Sequence, residues 1–313
     1  MVFNMTTSIP CLINMALQPL LSICIPTNGA VEYVAPSLES IYGQEVDASS
    51  FEVVITDNGV DSHLEEFIKK LKYPNLRYIK TNAQGFMNQI CAFKESQGAF
   101  IKMINHRALF HDGSLQKMID FIKAYQEKKP MLYFPNGHLG GIKTTQCQNL
   151  DDFLNKVSFW SSWEQGVGIW QEDKKKLDDI HYDRMFPAAS ILFNIREHSP
   201  YIVCDNNFTY EKPSKRMRRY DFFQVFAVEF LDVLYHLSEQ TRISEETFDF
   251  VRKDMYRRYL ISYYYQIVVA KTDRAIPPKN IMSNMSKYYS IWDYYWMCIY
   301  CHTAMRLKNL FKK

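Results

Sequence analysis

The chain has 313 residues, of which 47% are hydrophobic, and its formal net charge is +3. This length and composition allow one large domain or two smaller ones, with a sizeable core. The near balance of charge argues against a dedicated nucleic-acid-binding protein, and no apolar run is long and charge-free enough to span a bilayer. Residues 1–20 contain no Lys or Arg, which argues against a secretory signal, and seven irregularly spaced Cys residues favour free thiols in a reducing cytoplasm.

The first half of the chain alternates short apolar runs with segments of helical periodicity. The apolar runs predict five strands, at 21–27, 51–56, 76–80, 99–104 and 131–134. The periodic segments predict helices at 36–42, 62–71, 86–97 and 114–125. Pro36 is expected in the first turn of the first helix. This alternation is typical of βαβ units, and it predicts an α/β fold with a mostly parallel sheet and helices on both faces.

The second half has two different patterns. Residues 136–213 are irregular and rich in Gly and Trp, which is typical of a substrate-binding region that follows a sheet. Three long periodic segments then predict helices at 222–237, 244–269 and 282–312. We therefore expect an α/β domain over residues 1–215 and a helical, aromatic-rich region over residues 216–313.

Polar residues follow the first two predicted strands at the points where these strands end. Pro26 and Thr27 close the first strand, and Asp57, Asn58 and Gly59 follow the second. In an open parallel sheet, ligands bind at the carboxyl ends of the strands. The sequence therefore predicts a binding site at this edge, where the carboxylate of Asp57 can accept hydrogen bonds from a nucleobase or a ribose.

Four segments in the first half resemble, in order, the nucleotide-sugar-binding half of family 2 glycosyltransferases, which have the GT-A fold. They are Ser22–Thr27, Val54–Gly59, Asn82–Asn88 and Gly98–Ile104. The resemblance implies a Rossmann-type sheet and an inverting transfer of sugar from a nucleotide-diphosphate sugar, with UDP favoured, to a surface-glycan or lipid-linked acceptor bound by about residues 136–213. It also implies that the nucleotide sugar is bound by Pro26, Thr27, Glu32, Asp57, Asn58, Gly85, Asn88, Asn105 and His106.

The resemblance stops at the metal-binding motif. Family members usually carry an Asp-x-Asp motif after the fourth strand, and its carboxylates hold a divalent cation such as Mn²⁺ or Mg²⁺. Here Asn105, His106 and Arg107 stand at these positions. A leaving diphosphate still needs stabilisation, so we expect Arg107, together with His106, to replace the metal as a cationic donor. The alternatives are a surface ion pair for Arg107, a divalent cation held by Asn105 or His106, and a catalytically silent protein that binds a nucleotide sugar or partners another transferase.

The general base implied by the resemblance is a carboxylate well downstream of this motif. Asp183 is the preferred candidate, since its distance from the Gly-rich segment matches the expected position. The second candidate is Asp173 in the pair Glu172-Asp173, for which the alternative is the acidic first turn of a helix.

The last part of the sequence raises two further questions. Cys298 to His302 matches the pattern for covalent haem attachment, but we interpret the two Cys residues as small apolar groups one helical turn apart. A haem or redox protein is the alternative. The basic cluster Lys215–Arg219 and the basic, acid-free segment 303–313 predict contact with an anionic membrane surface or a lipid-linked acceptor. Helix packing or a homodimer is the alternative. We therefore expect a cytoplasmic protein that is peripheral at the inner face of a membrane.

Overall fold

The computed structural model describes residues 18–141, 144–213, 220–272, 276–305 and 307. The strands in this part of the chain are β1 (Leu21–Thr27), β2 (Phe51–Asp57), β3 (Leu76–Lys80), β4 (Phe100–Met103), β5 (Ala108–Phe110), β6 (Met131–Tyr133), β7 (Thr144–Cys147), β8 (Gly168–Trp170), β9 (Tyr201–Cys204) and β10 (Thr209–Glu211). The α-helices of the first 213 residues are α1 (Val31–Tyr42), α2 (His63–Ile68), α3 (Asn88–Glu95), α4 (Ser114–Ala124), α5 (Leu150–Val157) and α6 (Pro187–Asn194). The fold is therefore mixed α/β in this part, as predicted.

The main sheet has five strands in the order β3-β2-β1-β4-β8. The first four are parallel, and β8 is antiparallel to β4. The register pairs Thr27 with Asp57 and Asp57 with Lys80, so the carboxyl ends of three strands meet at one edge. This is the edge that the sequence predicts as the binding site.

Both faces of the main sheet are covered, which explains why β1 and β2 are almost continuously buried. Cys24 and Met103 face a core that contains Phe93 of α3, and this core continues into the C-terminal helices. Ile25 and Val53 face a second core with residues of α1, α2 and α4. The sequence prediction of helices on both faces is confirmed.

Two smaller sheets lie beside the main one, and they account for residues that the sequence analysis treated differently. The predicted strand at 131–134 forms β6, but it belongs to a separate sheet in the order β6-β9-β7. The region 136–213, predicted as irregular, contributes β7, β8, β9 and β10. These strands have only three or four residues each, which is too short for a periodicity to be recognised.

The first helix begins five residues earlier than Pro36. Gly29 has a φ of 83°, a left-handed conformation that suits Gly, and it turns the chain from β1 directly into α1. Pro36 therefore lies inside the helix rather than in its first turn, and this prediction was wrong. The first turn of α1 instead contains Glu32, next to the carboxyl end of β1.

The described part of the C-terminal region is helical, as predicted. Its helices are α7 (Phe222–Gln224), α8 (Phe230–Glu239), α9 (Glu245–Asp254), α10 (Ile261–Tyr264), α11 (Ile281–Met285) and α12 (Ile291–Tyr300). π-helical segments join α7 to α8 and α9 to α10, and others extend α10 and α12. The predicted helix at 282–312 is broken before α12, because Ser290 and Asp293 form a capping box that starts a new helix. Across residues 18–307, apart from the short gaps given above, no helix combines the length and apolarity needed to cross a bilayer.

Candidate active site at the carboxyl end of the main sheet

His106 is held against the end of β1. Its Nδ1 atom lies 2.8 Å from Oγ1 of Thr27, the last residue of that strand. The imidazole ring also stacks on Tyr33 of α1, with 5.4 Å between the ring centroids. The structure thus brings Thr27 and His106 together, as the sequence suggested, although they are 79 residues apart.

Asn88 joins the ends of the strands. It is 2% exposed. Its Nδ2 donates to the carbonyl oxygens of Thr27 and Thr56 at 3.1 and 2.8 Å, and its Oδ1 accepts from Thr81 at 2.8 Å. Every polar atom of this amide is therefore bound to protein. Asn88 therefore holds the ends of β1 and β2 in place, and in this way it supports a site at this edge of the sheet.

The turn that leads into α3 is fixed by Asn58. Its Nδ2 donates to the carbonyl oxygens of Ala83 and Gly85, at 2.9 and 3.0 Å. Gly85 has a φ of 54°, and a Cβ there would meet no atom within 4 Å, so the requirement for Gly is conformational. Asn58, Gly85 and Asn88 thus lie together, next to Asp57.

Asp57 lies at the predicted edge, but its carboxylate is fully buried and bound by protein donors. Oδ2 accepts from the Tyr78 hydroxyl at 2.8 Å and from Nζ of Lys80 at 3.0 Å, and Oδ1 accepts from the amide of Gly59 at 2.7 Å. Burial and the bond to Asp57 raise the pKa of the Tyr78 hydroxyl. The sequence analysis expected a carboxylate open to a nucleobase. The structure adds an ion pair with Lys80 that this expectation did not include.

Asn105 and Arg107 form a compact turn after β4. Oδ1 of Asn105 accepts from the amide and from Nε of Arg107, at 3.0 and 3.4 Å. The Arg107 guanidinium also donates to Oε2 of Glu211 at 2.9 Å. Glu211 reaches this place because β10 pairs with β5, with Glu211 opposite Ala108. The guanidinium is partly exposed and held in a fixed orientation.

Glu164 is a further carboxylate at this turn, and sequence reasoning missed it. Its Oε1 accepts from Nδ2 of Asn105 at 3.2 Å. Burial raises the pKa of Glu164, and the negative charge of Glu211 acts in the same direction, whereas the Asn105 bond and Arg107 oppose it. Glu164 arrives here because β8, which starts at Gly168, runs antiparallel to β4. The only sequence signal is an acid between Trp163 and a Gly-rich run.

Lys102 lies directly behind this turn, in β4. Its ammonium group is buried and donates to the carbonyl oxygens of Met103 and Gln165. Burial lowers the pKa of Lys102 from 10.5 to about 7, with a partial opposing effect from Glu164. The side chain of Gln165 in turn donates to Glu211 at 2.6 Å. Lys102 therefore supports the segment that carries Glu164.

The residues at this turn do not fit a divalent cation. In the described ranges, no three His, Cys, Asp or Glu side chains are grouped so that they could hold a metal ion. The oxygen of Asn105 that could serve as a ligand already accepts two N–H groups of Arg107, and the guanidinium occupies Glu211. The positive charge of Arg107 is fixed next to the oxygen atoms that a cation would need, so this turn does not provide a site for a divalent cation.

Asp173 and Glu172 lie at the opposite end of the sheet. The neighbouring Gln171 donates its amide to the carbonyl oxygen of Ala99, just before β4 begins. Asp173 is 3% exposed and binds Arg196 at 2.8 Å, and Glu172 pairs with Lys129. The structure does not bring Asp173 together with the residues at the carboxyl end.

Asp183 lies just before α6. Its Oδ1 accepts from the amides of Met185 and Phe186, at 2.8 and 2.9 Å, and the ring of Phe186 packs against Phe230 of α8. These bonds shape the turn that starts α6. Among the described residues, its hydrogen bonds join it to Met185, Phe186 and Ser190 and not to Asn105 or Arg107.

A second carboxylate that sequence reasoning missed is Asp221, which caps α7. Its Oδ1 accepts from the amides of Phe223 and Gln224, and its Oδ2 accepts from the amide of Lys279 at 2.7 Å. The adjacent Tyr220 has its ring edge-on to Phe86, in the turn that leads to α3. Asp221 is therefore close to the edge of the sheet, although helix capping engages its carboxylate.

The structure describes one of the remaining motifs of the sequence analysis fully and the others in part or not at all. Cys301 is buried and its thiol points to the carbonyl oxygen of Ile261, while Cys298 is half-buried one turn earlier. Both thus pack as the sequence suggested. Of the basic cluster Lys215–Arg219 the structure describes nothing, and of the segment 303–313 it describes only residues up to 305 and Leu307.

Comparisons with known proteins bear on this geometry. Residues 22–143 match the model of glycosyl transferase family 2. No curated protein matches the sequence significantly. The fold is similar to that of S. aureus TarS (residues 1–349) in complex with UDP-GlcNAc, with a TM-score of 0.58 and 14% identity over 80% of this chain and 76% of that chain. It is also similar to the mannosyltransferase PcManGT from Pyrobaculum calidifontis in complex with GDP-Man and Mn²⁺, with a TM-score of 0.50 and 13% identity over 92% of this chain and 81% of that chain.

Proposed function

We propose that this protein is a glycosyltransferase, which transfers a sugar, with inversion, from a UDP-sugar to a surface-glycan or lipid-linked acceptor. The match of residues 22–143 to the model of glycosyl transferase family 2 supports this proposal, as does the similarity in fold to TarS. The nucleotide sugar is bound at the carboxyl end of the main sheet, by Thr27, Asp57, Asn58 and the turn after β4. One observation carries the proposal. The loops after β1, β2 and β4 bring polar side chains together at the edge where parallel sheets bind ligands.

Arg107 is assigned to the leaving diphosphate. In an inverting transfer the acceptor oxygen forms a bond to the anomeric carbon while the bond from that carbon to the diphosphate breaks, so negative charge develops on the diphosphate. A guanidinium offers two parallel N–H groups to phosphate oxygens. The pair with Glu211 and the bonds to Asn105 fix the guanidinium in advance, so little reorganisation is needed during the reaction.

Glu164 is assigned to the proton of the acceptor hydroxyl. Asp183 and Asp173 were the candidates from sequence, and Glu164 is preferred because it contacts Asn105 within the same cluster as Arg107. A raised pKa suits a group that must accept a proton near neutral pH. His106, between Thr27 and Tyr33, is a binding residue in this scheme.

The acceptor is assigned to the region around residues 136–213. His138 is exposed and lies flat on Trp160, with 4.0 Å between the ring centroids, and Trp163 directly precedes Glu164. Aromatic faces of this kind suit the apolar faces of sugars. A lipid-linked acceptor would place the enzyme at the inner face of a membrane. The aromatic helices of the C-terminal region could instead form the interface of a homodimer.

The test is a thermal-shift screen of the purified protein against UDP, GDP and their sugars, with Mn²⁺ and with EDTA. Ligands that bind the native state raise Tm by mass action. We expect UDP and a UDP-sugar to raise Tm equally with Mn²⁺ and with EDTA, and Arg107→Ala to lose most of this shift while Arg107→Lys keeps part of it. A shift that requires Mn²⁺ and survives in Arg107→Ala would contradict the assignment of Arg107. The absence of a shift with every nucleotide would contradict the donor class.

A catalytically silent nucleotide-sugar-binding protein is the second candidate. The observation that favours it is the lack of a carboxylate in the turn Asn105–Arg107. Incubation with a UDP-sugar and measurement of released UDP distinguishes the two. Donor that binds without hydrolysis, and without transfer to any glycan or lipid-linked acceptor offered, would favour the silent protein.

A further inference from the structure

An apolar stripe on α12 is exposed over two turns of the helix. We define the α12 stripe as Ile291, Trp292, Tyr295, Trp296 and Ile299. Trp292 is 76% exposed and Ile299 is 64% exposed. The opposite face of the same helix is buried, with Met297 and Cys301 in the core. An apolar patch of this kind, on a helix that is already anchored by its other face, marks an interaction surface.

The α12 stripe carries almost no charge. Between residues 291 and 305 the only acidic residue is Asp293, and its carboxylate is bound by the amide and hydroxyl of Ser290 in the capping box. Trp and Tyr combine an apolar ring with a polar tip, and they concentrate where a membrane meets water. The composition therefore matches a helix that lies in the plane of a bilayer surface.

Positive charge adjoins the α12 stripe. A groove of about 500 Å³ runs beside Trp296, and its lining includes Tyr256, Ser262 and Tyr300. It also includes Arg257, which is exposed and has no ion-pair partner among the residues that the structure describes. The sequence then continues with Arg306, Lys308, Lys312 and Lys313 and no acidic residue. Within that segment, Leu307 is 55% exposed.

We propose that the α12 stripe docks on a bilayer that contains anionic phospholipids, with the aromatic and Ile side chains at the acyl boundary and Arg257 at the headgroups. Each basic residue near an anionic surface adds attraction. On the helical segment that carries Arg257, Asp249 pairs with Arg252 and Lys253, and Asp254 pairs with Arg258. Glu245 and Glu246 lie at the other end of this segment, about 17 Å from Arg257 along its axis, so they can face away from the lipid.

Charge also argues against the other occupants of this surface. A second copy docked through the same stripe would bring the same uncharged side chains and a second Arg257, and its only acidic residue between 291 and 305, Asp293, is already held by Ser290. A saccharide would use the groove, but it would leave Trp292 and Ile299 uncovered. An anionic bilayer would bury the apolar side chains of the α12 stripe and would also attract the positive charge beside it. This inference adds a partner to the proposed transferase, and it does not require that the protein be active.

The test is flotation of the 313-residue protein with vesicles of phosphatidylcholine, with and without phosphatidylglycerol. Trp292→Ser/Ile299→Ser removes two exposed side chains, and Phe250→Ser, an exposed apolar residue on α9, is the matched control. We expect the wild type to float with phosphatidylglycerol vesicles, and the double variant to lose partitioning by about tenfold or more. Phe250→Ser should float like the wild type, and Arg257→Gln should float less, with a weaker dependence on salt.

Three results would overturn the inference: wild-type protein that does not float with phosphatidylglycerol vesicles, a double variant that floats like the wild type, or a dimer in light scattering that the double variant converts to a monomer without any change in flotation. The UDP-induced rise of Tm is measured on the same variants. Because it should not change, a failure of docking can be separated from a failure of the proposed function.

Discussion

The two ends of the main sheet each bury a carboxylate, and both carboxylates have several hydrogen bonds. At the amino end Glu52 is 5% exposed and accepts from the Ser22 hydroxyl, from Arg77 and from the backbone amides of Gln97 and Gly98. Its bonds join β1, β3 and the turn before β4. Asp57, at the carboxyl end, accepts from the same kinds of donor: a hydroxyl, a cation and a backbone amide. Burial and saturation of a carboxylate therefore do not identify a binding site by themselves.

The difference between the two ends lies in what surrounds each carboxylate. At the amino end the chain is closely packed, since a Cβ at Gly98 would lie 2.6 Å from the amide nitrogen of Ser22. At the carboxyl end, Arg107 and Glu164 are half-buried and Glu211 is exposed, and the three residues come from distant parts of the chain. Side chains that are fixed by neighbours and still reach solvent can act on a ligand. Glu52 at the amino end is buried and bonded to the turn before β4, and it stabilises the fold.

The largest expected effect is on catalysis, and it separates the carboxylates of the two ends. Glu164→Gln, at the carboxyl end, should lower the rate of UDP-sugar turnover by about 10² to 10⁴, because general-base assistance is worth that much. Asp173→Asn, at the amino end, should leave the rate of the folded protein unchanged and lower its Tm, since Arg196 loses a partner. The measurement is release of UDP at saturating donor, with Tm as the control for folding.

The same two measurements, UDP release and Tm, are made on Asp183→Asn and Asp221→Asn. Glu164 would lose its assignment if either of them lowered turnover as much as Glu164→Gln is expected to, while Glu164→Gln itself remained active. A loss in Asp173→Asn without any loss of Tm would contradict the distinction between the two ends.

The contrast between Asp57 and Glu164 shows how far the sequence predicts this site. Asp57 was predicted at the edge because a buried apolar run ends there, and local periodicity is sufficient to locate the end of a strand. Glu164 and Glu211 were not predicted. They reach Asn105 and Arg107 through two strand pairings, β8 with β4 and β10 with β5, that connect distant parts of the chain. Strands of three residues carry no periodicity, so only the tertiary structure brings these acids to the site.

The second prediction concerns stability, and it compares Asn88 with Glu52. Each side chain is the centre of a buried hydrogen-bond network, so truncation to Ala leaves several donors or acceptors unsatisfied, at a cost of about 3 kcal/mol. We expect Glu52→Ala to lower the denaturant midpoint without changing the UDP-induced rise of Tm. Asn88→Ala should lower both, because it fixes the ends of β1 and β2. Equal effects on nucleotide binding would contradict the assignment of the two ends.

The third prediction follows from the buried Lys102 behind the carboxyl end. Its folded-state pKa is lowered by burial to about 7, below the ordinary 10.5, so between these values the unfolded chain binds more protons than the folded one. The free energy of unfolding should therefore rise with pH across this window, by about 1.4 kcal/mol per unit at most, and the gain is lost as pH falls through 7. In Lys102→Met this slope should disappear.

Urea unfolding of the wild type and of Lys102→Met at several pH values between 7 and 9 measures this slope. Since a buried charged ammonium costs stability, the variant should be the more stable protein at pH 7, and the gap should narrow as pH rises. Parallel pH profiles for the two proteins would show that the ammonium of Lys102 is not desolvated as its contacts indicate.

The smallest expected effect concerns the base of the nucleotide. It decides whether Asp57 binds the nucleotide or, like Glu52, only stabilises the fold. Asp57→Asn should weaken UDP binding by about tenfold, which is about 1.4 kcal/mol, because an amide presents one acceptor oxygen instead of two. Lys80→Met is the matched control, since it breaks the ion pair with Asp57 and keeps the carboxylate. If Asp57 binds the nucleotide, Lys80→Met retains UDP affinity while Asp57→Asn loses it. If both variants lose stability equally and bind UDP like the wild type, then Asp57 serves the fold alone, and the nucleotide must be recognised by the loops after β1 and β4.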